Sequence, residues 1–114
     1  MSDDKWPVEW LRGSLELCVL AVISRGTTYG YAIAQELQSA GLGEIKGGTL
    51  YPLLSRCERA YLVEVDWRQG ESGPGRKYYS ISAAGREYLQ HQSRRWIDFT
   101  ATAGELLTTT KEMS

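Results

Sequence analysis

The chain has 114 residues and a formal net charge of −1 at pH 7, with a pI near 5.8. Hydrophobic residues make up 42% and charged residues 24%, a balance that excludes disordered, collagen-like and disulfide-framework chains. The charge also excludes a generic polyanion binder, but not a local basic face: Asp3, Asp4 and Glu9 crowd the start, whereas Arg56, Arg59, Arg68, Arg76, Lys77 and Arg86 gather in the middle.

The first residues, MSDDKWPVEW, carry acids where a secretory signal would carry Lys or Arg. The longest apolar stretch, Val19 to Ile23, is far too short to cross a bilayer. A cytoplasmic protein with no membrane partner is expected. Cys18 and Cys57 share no CxxC or CxxH spacing, so buried, reduced thiols are expected as well.

Pro7 suits the first turn of a helix, where its missing N–H costs nothing. Val8, Leu11, Leu15, Cys18 and Val22 then recur at helical spacing, and Leu17, Val19, Leu20 and Ile23 widen the stripe. Gly26 stops this first helix. Thr27 or Thr28 is expected to cap a second, with Tyr29, Ile33, Ala34 and Leu37 facing inward and Gly41 closing it.

A third helix is expected from Gly47 to Ala60, with Leu50, Leu53, Leu54 and Cys57 inward and Gly48, Pro52, Ser55 and Arg59 outward. Strand alternation follows: Val63, Val65 and Trp67 share one face, with Glu64, Asp66 and Arg68 between them. QGESGPG reads as a loop and RKYYSIS as the returning strand.

From Ala83 the pattern is helical again. Leu89, Gln92, Trp96, Phe99, Ala103, Leu106, Thr110 and Met113 are spaced 3-4-3-4-3-4-3, a heptad-type seam with two polar interruptions. The fold class that results is mainly α with a small β-hairpin. Residues 1–82 are expected to form a winged helix-turn-helix domain, and residues 83–114 a long C-terminal dimerisation helix, joined as one compact unit. The most economical cover for such a helix is a second copy of itself. The dimer interface is therefore expected at Leu89, Gln92, Trp96, Phe99, Ala103 and Leu106.

Catalysis has little support. His91 is the only histidine, no Ser, Cys or carboxylate grouping has the spacing of a triad or a metal site, and GGTLYP lacks the GxxxxGK of a phosphate loop. No enzyme activity, cofactor or metal is expected. DNA binding has more. The turn LGEIK is short and contains glycine, as a helix-turn-helix requires, and the start of the third helix would enter the major groove of double-stranded DNA. Gly47 and Gly48 permit close approach there. Thr49, Tyr51 and Ser55 would reach base edges or backbone oxygens, and Arg56 and Arg59 phosphates; Arg76 and Lys77 would reach the adjacent minor groove or its phosphates from the wing. The plainer alternatives are that Tyr51 packs on the wing and that the hairpin charges are merely solvated.

GGTLYPLLSRCERAYLVEVDW followed by GPGRKYYSISAAG resembles the signature of the PadR family of bacterial transcriptional regulators, and LELCVLAVISRG and YGYAIAQEL resemble its first two helices. The resemblance spans about residues 10–107. It implies a winged-helix homodimer that represses promoters at inverted-repeat operators, often released by a phenolic acid or a drug. It maps the opening of the recognition helix onto Thr49, Leu50 and Tyr51, and the basic pair before the wing tyrosines onto Arg76 and Lys77. A single long C-terminal helix resembles the short subfamily, in whose compact drug-sensing members a tryptophan stacks across the dimer centre; Trp96 stands at the matching distance.

Two departures carry weight. Lys46 replaces the usual capping Ser or Asn and adds a phosphate-seeking charge. Trp6 and Trp10, with Trp96 and Phe99, add aromatic bulk near the expected dimer centre, which would either sandwich a planar aromatic effector or fill the space. An effector there would meet Trp10, Gly13, Glu16, Leu17, Trp96 and Phe99. Two other readings stand beside the regulator: a winged-helix protein–protein adaptor without DNA binding, favoured by the acidic pI, and a dimer that only sequesters a ligand.

Overall fold

A computed structural model describes residues 6–70 and 73–113. The order of elements is α1 (Val8–Ser24), α2 (Gly30–Leu37), α3 (Gly47–Arg59), β1 (Val63–Gly70), β2 (Gly73–Ile81) and α4 (Ala83–Met113). It is the expected mainly helical chain with one antiparallel hairpin and a long last helix.

Helix α1 starts from Pro7, whose carbonyl accepts from Trp10 and Leu11 N–H. Its second half carries the core: Leu15, Val19, Leu20, Val22 and Ile23 are buried. The stripe does not begin where periodicity puts it, since Val8 is exposed, one turn before there is anything to pack on. Ile33 and Leu37 of α2 and Leu50, Leu53, Leu54 and Cys57 of α3 close the same core, and Val63 and Tyr79 cover it from the hairpin. Every inward position assigned to α3 is buried. Trp67 shares a face with Val63 and Val65 but stands beyond the core's edge, exposed.

Two local expectations are corrected. Neither Thr27 nor Thr28 caps α2: its N-cap is Tyr29, with no side-chain cap bond. Thr28 instead exchanges two backbone hydrogen bonds with Tyr79 (3.0 and 2.7 Å), an isolated antiparallel bridge onto the outer edge of the two-stranded wing. Helix α2 continues past Leu37 in a wider turn, and Gly41, at φ 107°, ends the helical run in the left-handed region as expected. Finally, most of QGESGPG is strand rather than loop. Pairing runs Val63↔Ile81 through Arg68↔Arg76 to Gly70↔Gly73, with a bulge between Arg68 and Gly70. Of that segment, residues 71–72 lie outside the described residues.

The corner from α3 into β1 is tight. Tyr61 sits at φ 60°, its N–H donating to Glu58 and the Leu62 N–H to the Cys57 carbonyl, both at 3.0 Å. This is a Schellman closure with tyrosine where glycine is usual. Ser82 then knots the end of the hairpin to the same corner. Its hydroxyl donates to the Tyr61 carbonyl at 2.7 Å and accepts from the Gly85 N–H at 2.9 Å, capping α4. Gly85 has no alternative, because a Cβ there would overlap the Leu62 carbonyl oxygen. Helices α3 and α4 are therefore tied together at one corner.

Candidate nucleic-acid interface

Helix α3 begins at Gly47 behind Lys46, which makes no side-chain cap bond. The Lys46 carbonyl accepts from Thr49 and Leu50, so the first N–H groups of the helix, on Gly47 and Gly48, point out of it without an intrahelical partner. Gly48 opens onto free space: a Cβ there would meet nothing within 4 Å. Pro52 adds a second break in the ladder, since it cannot donate to the Gly48 carbonyl. Lys46, Gly48, Thr49, Tyr51, Pro52, Arg56 and Arg59 are exposed and Ser55 is half-buried. Among the described residues Lys46, Arg56 and Arg59 join no ion pair.

Tyr51 is half exposed and turned toward α2. Its ring lies over the start of α2, where a Cβ on Gly30 would come within 2.5 Å of the phenol oxygen and 2.7 Å of the ring. The ring also borders Gly47, so two glycines make room for it while half of the residue stays exposed. The hydroxyl is thereby held at the N-terminal end of α2.

The wing is held by a run of rings and guanidinium groups. Arg76 lies over the Tyr29 ring at 4.1 Å, Tyr29 meets Tyr78 edge-on at 5.5 Å, and Arg68 lies over Tyr78 at 4.4 Å. Arg68 and Arg76 are cross-strand partners, an arrangement of like charges that repels. Each cation is drawn onto a different ring, and Arg68 also pairs with Asp66 at 3.2 Å. Arg76 thus remains exposed with its guanidinium near α2. Lys77 does not: its amine pairs with Glu58 at 3.3 Å, half-buried, tying β2 to α3. The sequence reading missed Arg68, Tyr29 and Tyr78. The only sequence signal was the two-residue spacing of Arg76 and Tyr78, which puts both on one face of β2.

The residues assigned to the dimer centre fall in two groups. Gly13 and Trp96 meet, a Cβ on Gly13 lying 3.4 Å from the indole, and Phe99 stands 5.7 Å from Trp96. Glu16 is engaged within the chain, accepting from the Tyr88 hydroxyl at 2.7 Å. That hydrogen bond, with burial and the carboxylate's charge, pushes the Tyr88 phenol up to about 12. Leu17 is half-buried, and Trp10 is exposed with its ring against Trp6. Along α4, Leu89, Gln92, Trp96 and Ala103 are half-buried, while Phe99 and Leu106 are over 60% exposed in the single chain. The side chains of Thr110 and Met113, which extend that seam, lie outside the described residues.

Among the described residues no helix is long and apolar enough to cross a membrane. A family model described as the transcriptional regulator PadR-like family matches residues 19–91. The chain is similar to a PadR family transcriptional regulator from Eggerthella lenta, with 35% identity, a TM-score of 0.80, and coverage of 88% of this chain and 87% of that one. It is also similar to a PadR-like transcriptional regulator from Bacillus cereus, with 35% identity, a TM-score of 0.76, and coverage of 87% and 96%. A Streptococcus transcriptional regulator shares 34% identity at a TM-score of 0.74, covering 88% and 98%.

Proposed function

The chain belongs to the PadR-like family of transcriptional regulators, and from that premise we propose that it represses its promoter by binding an inverted-repeat operator as a homodimer. A DNA-binding regulator, not an enzyme, is what family membership establishes. The observation that carries the finer reading is the exposed N-terminal turn of α3. There Gly48 leaves space for a close approach, Thr49 stands at the first turn, and Lys46, Arg56 and Arg59 are exposed without ion partners among the described residues. In a winged helix that turn enters the major groove, while Arg76, propped on Tyr29, reaches the flanking backbone. Lys77 serves the wing's attachment through Glu58 and contributes less to phosphate binding than Arg76.

Dimerisation through α4 supplies the second recognition helix. Phe99 and Leu106 are the large apolar groups of the predicted seam that one chain leaves uncovered, and a second copy covers them. At that centre Trp96 and Phe99 form an aromatic wall for a planar effector. Within the chain Trp96 already rests on Gly13, which supports a wall held in place before any ligand arrives.

The test is a titration of the chain's own promoter duplex against a scrambled duplex in rising salt. Specific binding, with log K falling linearly with log salt at about 0.9 per phosphate neutralised, is expected. The double reversal Lys46→Glu and Arg59→Glu should abolish it. Equal affinity for both duplexes at every salt would refute the reading and favour the protein–protein adaptor.

A further inference from the structure

The turn that joins α2 to α3 decides where the DNA-facing end of α3 lies, and its own sequence does little to fix it. Gly41 and Gly43 hold positive φ, 107° and 86°, which suits glycine, but glycine also has the most backbone freedom to lose on ordering. Among the described residues, neither Glu44 nor Ile45 makes a backbone hydrogen bond. Lys46 brings no side-chain cap to the start of α3. On its α1 side the turn borders an open groove of about 850 Å³, edged by Leu11, Arg12, Lys46 and Leu53, so α1 and α3 stand apart there. The Ile45 side chain drops into the core. One further tie reaches the turn from outside: the indole N–H of Trp6 donates to the Gly41 carbonyl at 2.9 Å.

Trp6 is well mounted for that task. It precedes Pro7, which restricts Trp6 to extended backbone and is itself fixed at φ −57° at the head of α1. The Trp10 ring, one turn along α1, lies 6.2 Å from the Trp6 ring. The second half of α1 is buried in the core. The hydrogen bond therefore joins a core helix to the turn.

We propose that Trp6 is a positioning residue for DNA recognition: its indole hydrogen bond straps the α2–α3 turn to α1 and so sets the pose of Lys46 and the first turn of α3. The functional half of this rests on the DNA-binding reading; the strap does not. A turn already held in one pose lets base-edge contacts form with little ordering cost at binding. Phosphate contacts made by cations on long, flexible side chains survive a looser pose. Loss of the strap should thus weaken specific binding and spare non-specific binding, whereas loss of a residue that merely supports the fold would lower both together.

The first readout is hydrogen exchange by NMR on the full chain without DNA. In the wild type the Trp6 indole N–H should exchange roughly tenfold more slowly than that of Trp67, which is exposed on the wing and has no hydrogen-bond partner among the described residues. Equal rates would show that the strap does not form. Trp6→Phe keeps a ring and removes the donor. The Thr49 and Leu50 amides, which donate to the Lys46 carbonyl, should then exchange roughly fivefold faster, while the Cys57 amide deeper in α3 and the urea midpoint stay as they were. Affinity for the promoter duplex should fall about fivefold, the worth of one neutral hydrogen bond, and affinity for a scrambled duplex should hold. Unchanged exchange at Thr49 and Leu50, equal losses on the two duplexes, or a lower urea midpoint with faster exchange throughout would each overturn the positioning role. If the wild type binds its promoter no better than scrambled DNA, the regulator reading fails and the functional half with it, while the exchange rates still decide the strap.

Discussion

Two residue pairs show how contacts far apart in sequence set local chemistry. Tyr88 on α4 donates to Glu16 on α1, and the phenol is pushed up to about 12 from its ordinary value of 10.0. A phenol whose folded pKa is raised contributes stability that is present below pH 10 and lost as pH climbs to about 12. The wild-type denaturation midpoint should therefore fall across that window more than that of Tyr88→Phe, as read by urea titration at each pH. Parallel curves would show that the hydrogen bond does not form. The second pair is Gly30 and Tyr51. In Gly30→Ala the new methyl takes the place of the phenol, which is the exposed end of a movable side chain, so the melting temperature should hardly move. Promoter affinity should nevertheless fall several-fold, because Tyr51 swings away from α2; unchanged affinity would remove Tyr51 from the interface. Cys57 is fully buried, and burial, reinforced by Glu16, pushes its thiol up to about 11. It should resist thiol reagents at pH 8 until the protein is unfolded, whereas rapid labelling in the native state would contradict the packed core.

At the scale of elements, the corner between α3 and α4 governs geometry. Gly85→Ala would drive a methyl into the Leu62 carbonyl, a backbone atom that cannot step aside. The expected cost is about 3 kcal/mol, seen as a lower urea midpoint, and because this corner aims both helices the variant should also bind DNA poorly. Loss of less than about 0.5 kcal/mol would mean the corner is soft. This corner was illegible in the sequence. Glycine signals a left-handed helix end, and Tyr61 gives no such signal; Ser82 is one of many serines until Gly85 and Tyr61 are seen around it. Periodicity did better where a face is wholly buried: Leu50, Leu53, Leu54 and Cys57 were legible because α3 has one core side. It overreached at Val8 and Trp67, where the pattern runs past the edge of the core. Thr28 was misassigned because a threonine before a helix caps or pairs with equal ease, and only the nearness of Tyr79 decides between them. In the candidate interface, the cations were legible by type and position, but their partners were not: Lys77 and Glu58 are 19 residues apart, and Arg76 reaches the ring of Tyr29, which precedes α2.

The whole molecule is longer than its size requires. Its radius of gyration is 16.5 Å, against about 13 Å for a compact chain of this length, and it extends 60 Å along its main axis. Helix α4, with 31 residues, accounts for the excess, and it carries Ile97, Phe99, Leu106 and Leu107 exposed. A lone chain presents that surface to water, and the proposed dimer would cover it. Phe99→Glu should shift the protein toward monomer in sedimentation equilibrium and weaken DNA binding in step, since one recognition helix alone meets half an operator. The most direct test of the central claim is sedimentation of the protein with its own promoter duplex and with a half-site cut from it. Two chains on the full duplex, salt-sensitive binding, and roughly a hundredfold weaker binding to the half-site are expected. One chain per duplex, or equal affinity for both, would contradict that claim.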